Sequence, residues 1–259
     1  MLRSITRRLK PEEEELVRKR EELAAIRATL AERELELVDF RSQLAAFEGR
    51  YLREVGALYA ELDEWNARIA ELQARLHPSS ASQAQAEQAR KQARQTYEEA
   101  HGEASESRSF TPSPELKRMY REAAKRIHPD FAADPADRER RTRLMADANR
   151  AYGAGDAEAL QRILDEYEEG AEAVTGEGIG AELIRIIRQA SQAKAHLSAI
   201  EQELEALLQS GTALLMKQAE EREQMGGDLL AELAAAVREQ IRSAKEQYES
   251  VAKQEANCA

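Results

Sequence analysis

Apolar residues recur every seven positions along the first third of the chain. A heptad repeat of this kind is the seam along which helices pair in coiled coils. The pattern therefore predicts an N-terminal coiled coil over residues 11–77, about 100 Å long at the rise of an α-helix. We interpret the single tryptophan as a seam residue rather than a ligand platform. The repeat occupies ten consecutive positions: Leu9, Leu16, Leu23, Leu30, Leu37, Leu44, Tyr51, Leu58, Trp65 and Leu72.

A second apolar seam on the same helix changes side near Gly49 to Gly56. Before this point its residues follow a heptad position by three, and after it they follow by four. The shift predicts a local change of packing or of partner. The early members are Ile26, Phe40 and Phe47, and the later ones are Val55, Leu62, Ile69 and Leu76.

Proline and serine at His77-Pro78-Ser79-Ser80 predict the end of this arm. We assign residues 78–112 to a weaker, alanine- and glutamine-rich helix followed by a linker. We expect this helix to fold back on the first arm.

A second arm follows a glycine-rich hinge at residues 171–180. From Leu183 to Leu214 its apolar residues alternate three and four apart, which predicts a C-terminal coiled coil over residues 181–257. Gly226-Gly227 interrupts the pattern, and Gly211, within the seam, is expected to be buried and to allow close helix approach. The economical arrangement is an antiparallel stalk with the middle segment near its tip. Parallel pairing with a second chain is the alternative.

Composition supports an elongated all-α protein. Charged residues make up 34% of the 259 residues and aromatic residues only 5%, too few large side chains for one globular core of this size. The net charge of −11 argues against nonspecific binding to nucleic acid or anionic membranes. The basic N-terminal tail, residues 1–10, lacks the apolar core of a secretory signal, and no apolar run approaches a membrane span. We therefore expect a cytoplasmic protein.

The middle segment, residues 113–170, carries the sharpest motif. Ser113-Pro114 predicts the start of a helix, which ends at Pro129 and leaves His128 and Asp130 on an exposed loop. A second helix begins near Asp137, so the segment forms a helical hairpin. Nine basic and six acidic residues give residues 115–143 a net charge of +3 within an acidic chain. The basic residues of the first helix are Lys117, Arg118, Arg121, Lys125 and Arg126.

Residues 120–130, YREAAKRIHPD, are similar to the second helix and His-Pro-Asp loop of J domains. Met145, Ala148, Ala151 and Tyr152 resemble the apolar pattern of the third helix in that family, where an Ala-Tyr pair recurs. The resemblance covers residues 113–170 only. It lacks the first helix of the family, and Gly153-Ala154-Gly155-Asp156 interrupts the end of the third.

The resemblance implies a non-enzymatic co-chaperone without cofactors. In the J-domain family, the loop and the basic helix face dock on an ATP-loaded DnaK-type chaperone and stimulate its ATP hydrolysis. The implied chaperone-binding residues are His128, Pro129, Asp130, Lys117, Arg118, Arg121, Lys125 and Arg126. The arms would bind a client protein or form a homo-oligomer. Because neither a Gly/Phe-rich region nor a zinc module follows, the resemblance does not extend to client delivery.

Four other interpretations of these residues are possible. His128 could be a simple helix C-cap followed by a turn. A catalytic pair or metal site at His128 and Asp130 lacks a third ligand or a nucleophile nearby in the sequence. Nucleic-acid binding lacks interleaved aromatic residues. A structural coiled-coil scaffold with a degenerate J-like module is the main alternative, favoured by the missing first helix. Because a two-helix hairpin buries little surface, we expect arm residues beside the hinge to complete its core.

Overall fold

The computed structural model describes residues 10–102, 110–132, 134–169 and 178–258, and all regular secondary structure in these ranges is helical. The predicted all-α class is thus confirmed for this part of the chain. The N-terminal tail, most of the linker and most of the hinge lie outside it. The helices are α1 (Pro11–Tyr51), α2 (Ala57–Leu76), α3 (Ser80–Ala100), α4 (Pro114–Ile127), α5 (Pro135–Ala154), α6 (Ala157–Glu169), α7 (Ile179–Leu208), α8 (Gly211–Gln224) and α9 (Leu229–Cys258).

Local sequence signals set the helix boundaries. Ser79 and Ser82 form a reciprocal capping box before α3, and the Ser113 hydroxyl accepts the backbone N–H of Leu116 at the start of α4. Gly155 ends α5 with φ +72°, a left-handed conformation that glycine adopts without strain. Helices therefore end at the breaks that the sequence predicts after Leu76 and around residues 153–156.

A π-helical turn, Leu52–Gly56, joins α1 to α2. It lies where the second apolar seam changes side. A π turn accommodates one more residue than an α turn, so the residues after it face a different direction at the same heptad spacing. The seam shift in the sequence thus has a local structural cause.

The chain divides into two compact units. The first comprises residues 1–42 and 110–208, and the second comprises residues 43–109 and 209–259. Each unit therefore combines one part of α1 with later segments of the chain. None of the helices in the described ranges has the length and apolarity needed to cross a membrane.

In the first unit, one face of α1 packs on α4, α5 and α6. Ala31, Leu35 and Val38 supply the α1 side of this core. They complete the core of the middle segment from the middle of α1, whereas the expected partners were arm residues beside the hinge. Tyr120 and Tyr152 are fully buried in the same core, with ring centres 5.0 Å apart.

The hydroxyl groups of the two tyrosines form hydrogen bonds with residues on different helices. Tyr120 donates to Asn149 of α5 at 2.6 Å, and Tyr152 donates to Asp39 of α1 at 3.2 Å. Burial raises the pKa of both phenols, so they remain neutral hydrogen-bond donors at physiological pH.

The leucine seam of α1 packs on α7 in the same unit. The ion pair Arg20–Glu182 and the ion pair Arg41–Glu203 have the same offset of 162 residues, so α1 and α7 run parallel. The antiparallel arrangement, the more economical of the two that the sequence leaves open, therefore does not hold for these helices, because α7 begins beside the start of α1. The shared core contains Leu16, Leu23, Leu30, Leu37, Phe131, Ile186, Ala190, Ala193, Ile200 and Leu204.

In the second unit, α3 folds back on α2, as the sequence predicts. Arg90 of α3 binds Glu71 and Glu64 of α2, and Thr96, further along, binds the earlier residue Asp63. The α2 and α3 helices are therefore antiparallel.

The last helix, α9, runs parallel to α2 in this unit. Lys245 pairs with Glu61 and Glu255 pairs with Arg75, so both helices advance together. The Trp65 ring meets Tyr248 edge-on at 5.5 Å, which places the tryptophan in the packing seam.

Gly211 is exposed at the first residue of α8, where the Ser210 hydroxyl accepts the backbone N–H of Ala213. The prediction of a buried seam glycine is wrong here because the helix ends at Leu208 and a new one begins.

Residues 109–170, excised from the chain, are expected to melt broadly rather than cooperatively. The excised piece lacks Ala31, Leu35 and Val38 of α1. The apolar side chains of α4–α6 that these residues cover would therefore be exposed to water. Thermal circular dichroism of the fragment beside the full chain measures this. A sharp, reversible transition of the fragment would show that α1 is dispensable for its core.

Candidate functional site

Pro129 and Asp130 lie in a short 3-10 turn, Pro129–Phe131, between α4 and α5, and His128 is the residue between α4 and this turn. The His128 side chain is 1% exposed and that of Asp130 is 8% exposed. The expectation that both lie on an exposed loop is therefore wrong. The reason is tertiary, since α1 and α7 cover the loop from outside the segment that carries the motif.

His128 occupies the C-cap position of α4 and also holds the following turn. Its Nδ1 accepts the backbone N–H of Asp130 at 3.1 Å, which places the ring proton on Nε2. Nε2 in turn lies 3.3 Å from Oε1 of Glu34 on α1 and donates to it. The ring therefore acts in capping, as the simpler interpretation proposed, and also joins the loop to α1.

Asp130 is joined to α7 through His196. Nδ1 of His196 donates to Oδ2 of Asp130 at 3.0 Å, and Nε2 of His196 lies 3.4 Å from Oε1 of Glu34. The His196 ring is thus held between two carboxylates, one on the loop and one on α1. The guanidinium of Arg138 on α5 lies 3.9 Å from the other oxygen of Asp130.

These contacts shift the pKa values of His196 and Asp130. The hydrogen bond to Asp130 raises the pKa of His196, against the opposing effect of burial, and the charges of Glu34 and Asp130 add to the increase. Burial alone would raise the pKa of Asp130, but the hydrogen bond from His196 and the nearby basic groups together lower it. The site therefore favours an imidazolium between two carboxylates.

Phe131 anchors the same loop in the leucine seam. Its ring is buried among the side chains shared by α1 and α7, and the Arg27 guanidinium lies 4.3 Å from the ring centre. The backbone carbonyl of Phe131 accepts a hydrogen bond from Gln189 of α7 at 3.3 Å. The loop is thus fixed by apolar as well as polar contacts.

Acidic residues of α1 lie against part of the basic face of α4. Lys117 pairs with Asp39 at 2.7 Å, and Arg121 pairs with Glu32 at 3.4 Å. Lys125 lines the same groove between the two helices and is exposed. The α1 helix thus presents carboxylates to the surface that the J-domain resemblance assigns to a partner.

The other two basic residues pair within α4. Arg118 binds Glu115 at 2.6 Å, and Arg126 binds Glu122 at 2.6 Å. Such exposed pairs at helical spacing stabilise a helix by only a few tenths of a kcal/mol, roughly. Both side chains can therefore exchange partners readily.

Two residues of this site, Glu34 and His196, are absent from the sequence prediction. Their signal in the sequence is weak. The second seam of α1 has no apolar member between Ile26 and Phe40, which marks a polar interruption near Glu34. His196 is a lone histidine beside the seam of α7. Neither feature indicates that the two residues meet each other and the loop.

Stability of the first unit is expected to depend on pH through this site. A raised pKa of His196 stabilises the fold below its ordinary value of 6.5, and this stabilisation is lost as pH rises through the folded-state value. A lowered pKa of Asp130 stabilises the fold above its ordinary value of 3.8. The contribution is therefore largest between these two values.

His196→Ala should lower the urea midpoint most near pH 5 and progressively less towards pH 8. We expect a loss of about 1 kcal/mol near pH 5, as for a partly exposed hydrogen bond to a charged group. Urea titrations in the presence of a chelator measure it. His101→Ala, in the second unit, is the matched control and should show no such pH dependence. An equal loss at pH 5 and pH 8 would contradict the assignment.

Comparison of the chain with known proteins identifies no relative. No family model matches the chain, no curated protein matches it, and no solved structure matches it.

Proposed function

We propose that this protein is a J-domain-type co-chaperone that recruits a DnaK-type chaperone and stimulates its ATPase. The observation that best supports this proposal is the antiparallel pair of α4 and α5, in which the basic helix α4 is followed directly by His128-Pro129-Asp130. Tyr120 faces Asn149, and the Arg126 carbonyl accepts from Arg141, so the two helices meet along their length. The arms would hold a client protein or a second copy, in the cytoplasm.

The packing of α1 on α4 and α5 supports this proposal. Ala31, Leu35 and Val38 close the core of α4 and α5, and Asp39 binds both Lys117 of α4 and Tyr152 of α5. The two helices thus have a third helix packed on them, although the sequence lacks a first J helix before α4. In this proposal α1, about 80 residues earlier than α4, takes the role of that helix.

The proposed docking surface is covered by the chain itself. His128 binds Glu34, and Asp130 binds His196. Lys117 pairs with Asp39, and Arg121 pairs with Glu32. A chaperone that reads the His-Pro-Asp loop must first separate α7 from it. We therefore propose that this arrangement is a masked form of the co-chaperone. Release of α7 frees Asp130, and the chaperone then exchanges the contacts of His128, Lys117 and Arg121 with α1 for contacts of its own.

A structural scaffold is the second candidate, and the same burial favours it. In that case His128 and Asp130 serve only to cap α4 and to fasten α1 and α7 to the loop. The two candidates differ in one consequence. If the protein is a co-chaperone, loosening α7 exposes a chaperone-binding surface. If it is a scaffold, loosening α7 exposes no such surface.

His196→Ala is expected to raise stimulation of a DnaK-type ATPase severalfold above the wild-type chain. The substitution removes the contact between α7 and Asp130 and leaves the His-Pro-Asp residues unchanged. His196→Ala combined with His128→Gln should return the rate to that of the chaperone alone. Single-turnover ATP hydrolysis measures the rates.

Controls separate unmasking from unfolding. His101→Ala should match the wild type, and circular dichroism should show that the single and double variants keep their helicity. If the single and double variants stimulate equally, or neither stimulates at all, the co-chaperone proposal fails and the scaffold candidate takes its place.

Lys125→Glu in the His196→Ala background is expected to weaken chaperone binding by about tenfold. Lys125 is the cleanest basic residue to test because it is exposed, whereas Arg121→Glu would also repel Glu32 of α1. Exposed charges are screened beyond about 10 Å at 0.1 M salt, so binding should also weaken as salt increases. Surface plasmon resonance at two salt concentrations measures both effects. Lys217→Glu on α8 is the control, and an equal loss there would contradict a role for the α4 face.

A further inference from the structure

Three side chains from separate parts of the first unit bring potential metal ligands together. Glu34 lies on α1, His128 follows α4, and His196 lies on α7, and one ligand atom from each lies within 4.8 Å of the other two. We propose that these residues form a binding site for a divalent transition metal, with Zn²⁺ as the best-fitting ion. The proposal does not depend on the co-chaperone function.

Two of the three distances between the ligand atoms fit a tetrahedral ion. Oε1 of Glu34 lies 3.3 Å from Nε2 of His128 and 3.4 Å from Nε2 of His196. Ligands that bind zinc at about 2.0–2.1 Å with tetrahedral angles are separated by about 3.3 Å. The ligand atoms of the two histidines lie within 4.8 Å of each other, so an ion would draw the rings together. Two imidazoles and one carboxylate are also a ligand set that zinc accepts.

Asp130 supplies the outer support that metal-binding histidines require. Its Oδ2 accepts the Nδ1 proton of His196 at 3.0 Å, which leaves Nε2 directed towards Glu34. A carboxylate behind the imidazole fixes the ring orientation and raises its basicity as a ligand.

His128 must change its hydrogen bonding to take part. Its Nε2 proton points at Glu34, and an ion would replace that proton, which then moves to Nδ1. The Nδ1 proton would face the backbone N–H of Asp130, so the hydrogen bond at 3.1 Å is lost and the loop must move apart from the ring at this point. His196 would release its Nε2 proton to solvent and keep the Nδ1 proton that Asp130 accepts. The loss of one neutral hydrogen bond is small beside the binding free energy of a zinc site.

Solvent reaches the site from the α7 side. The His196 side chain is 36% exposed, whereas those of His128 and Glu34 are 1% and 11% exposed. The exposed edge of His196 gives an entry path, and a water molecule would be the fourth ligand, as in zinc sites with three protein ligands. An ion held there would clamp α1, the loop and α7 together.

Zinc titration of the chelator-stripped full chain tests the site. We expect one Zn²⁺ per chain by calorimetry, a rise in melting temperature with added zinc, and a Co²⁺ complex with the intense visible absorption of tetrahedral coordination. His196→Ala and Glu34→Gln should each weaken Zn²⁺ binding at least tenfold.

Two substitutions outside the site serve as matched controls. His101→Ala removes an exposed histidine of the second unit, and Glu36→Gln removes an exposed carboxylate two residues after Glu34 on α1. Both should bind zinc like the wild type, and circular dichroism confirms the fold of every variant. Absence of one-to-one binding to the wild type would overturn the proposal, as would equal losses in the site and control variants. A Co²⁺ spectrum typical of octahedral coordination would also overturn it.

Discussion

Everything in the first unit depends on the two-faced packing of α1. One face, centred on Leu35, closes the core of α4–α6, and the other, centred on Leu30 and Leu37, packs on α7. A helix that buries two faces has a narrow polar strip, and Glu34 lies within it as a buried charge. Because an unpaired carboxylate is costly to bury, the helices around Glu34 must supply donors. His128 and His196 do so.

This requirement explains why the loop is held so tightly. Glu34 needs the Nε2 donor of His128, Asp130 needs the Nδ1 donor of His196, and the His128 ring needs the Asp130 amide. Removal of one member leaves a buried group without its partner, so the set behaves as one network. Phe131 adds apolar anchoring beneath it. The His-Pro-Asp turn is therefore part of the core of the unit.

Masking and metal binding are compatible consequences of the same network. A proton on His196 and the proposed metal ion between Glu34 and the two histidines would both hold α7 against the loop. Under the proposed function, the partner surface would be occupied by residues of the chain in either state. A chaperone would then compete with intramolecular contacts whose effective concentration is high. The acidic residues Glu32 and Asp39 offer the same kind of competition on the basic face of α4.

By itself, the sequence determined most of the helices, because heptads, caps and glycines act within a few residues. It did not indicate the break between α7 and α8 at Leu208 to Gly211. The ends of α2 and α5 and the seam shift at Leu52–Gly56 are all local signals that the structure follows. The parallel direction of α1 and α7, the use of α1 as part of the α4–α6 core, and the burial of His128 were decided only by tertiary packing. A heptad specifies that a seam needs a partner, but not which partner or which direction. For the same reason, the meeting of Glu34 with His196 cannot be derived from spacing, since their contact depends on two helices docking at one register.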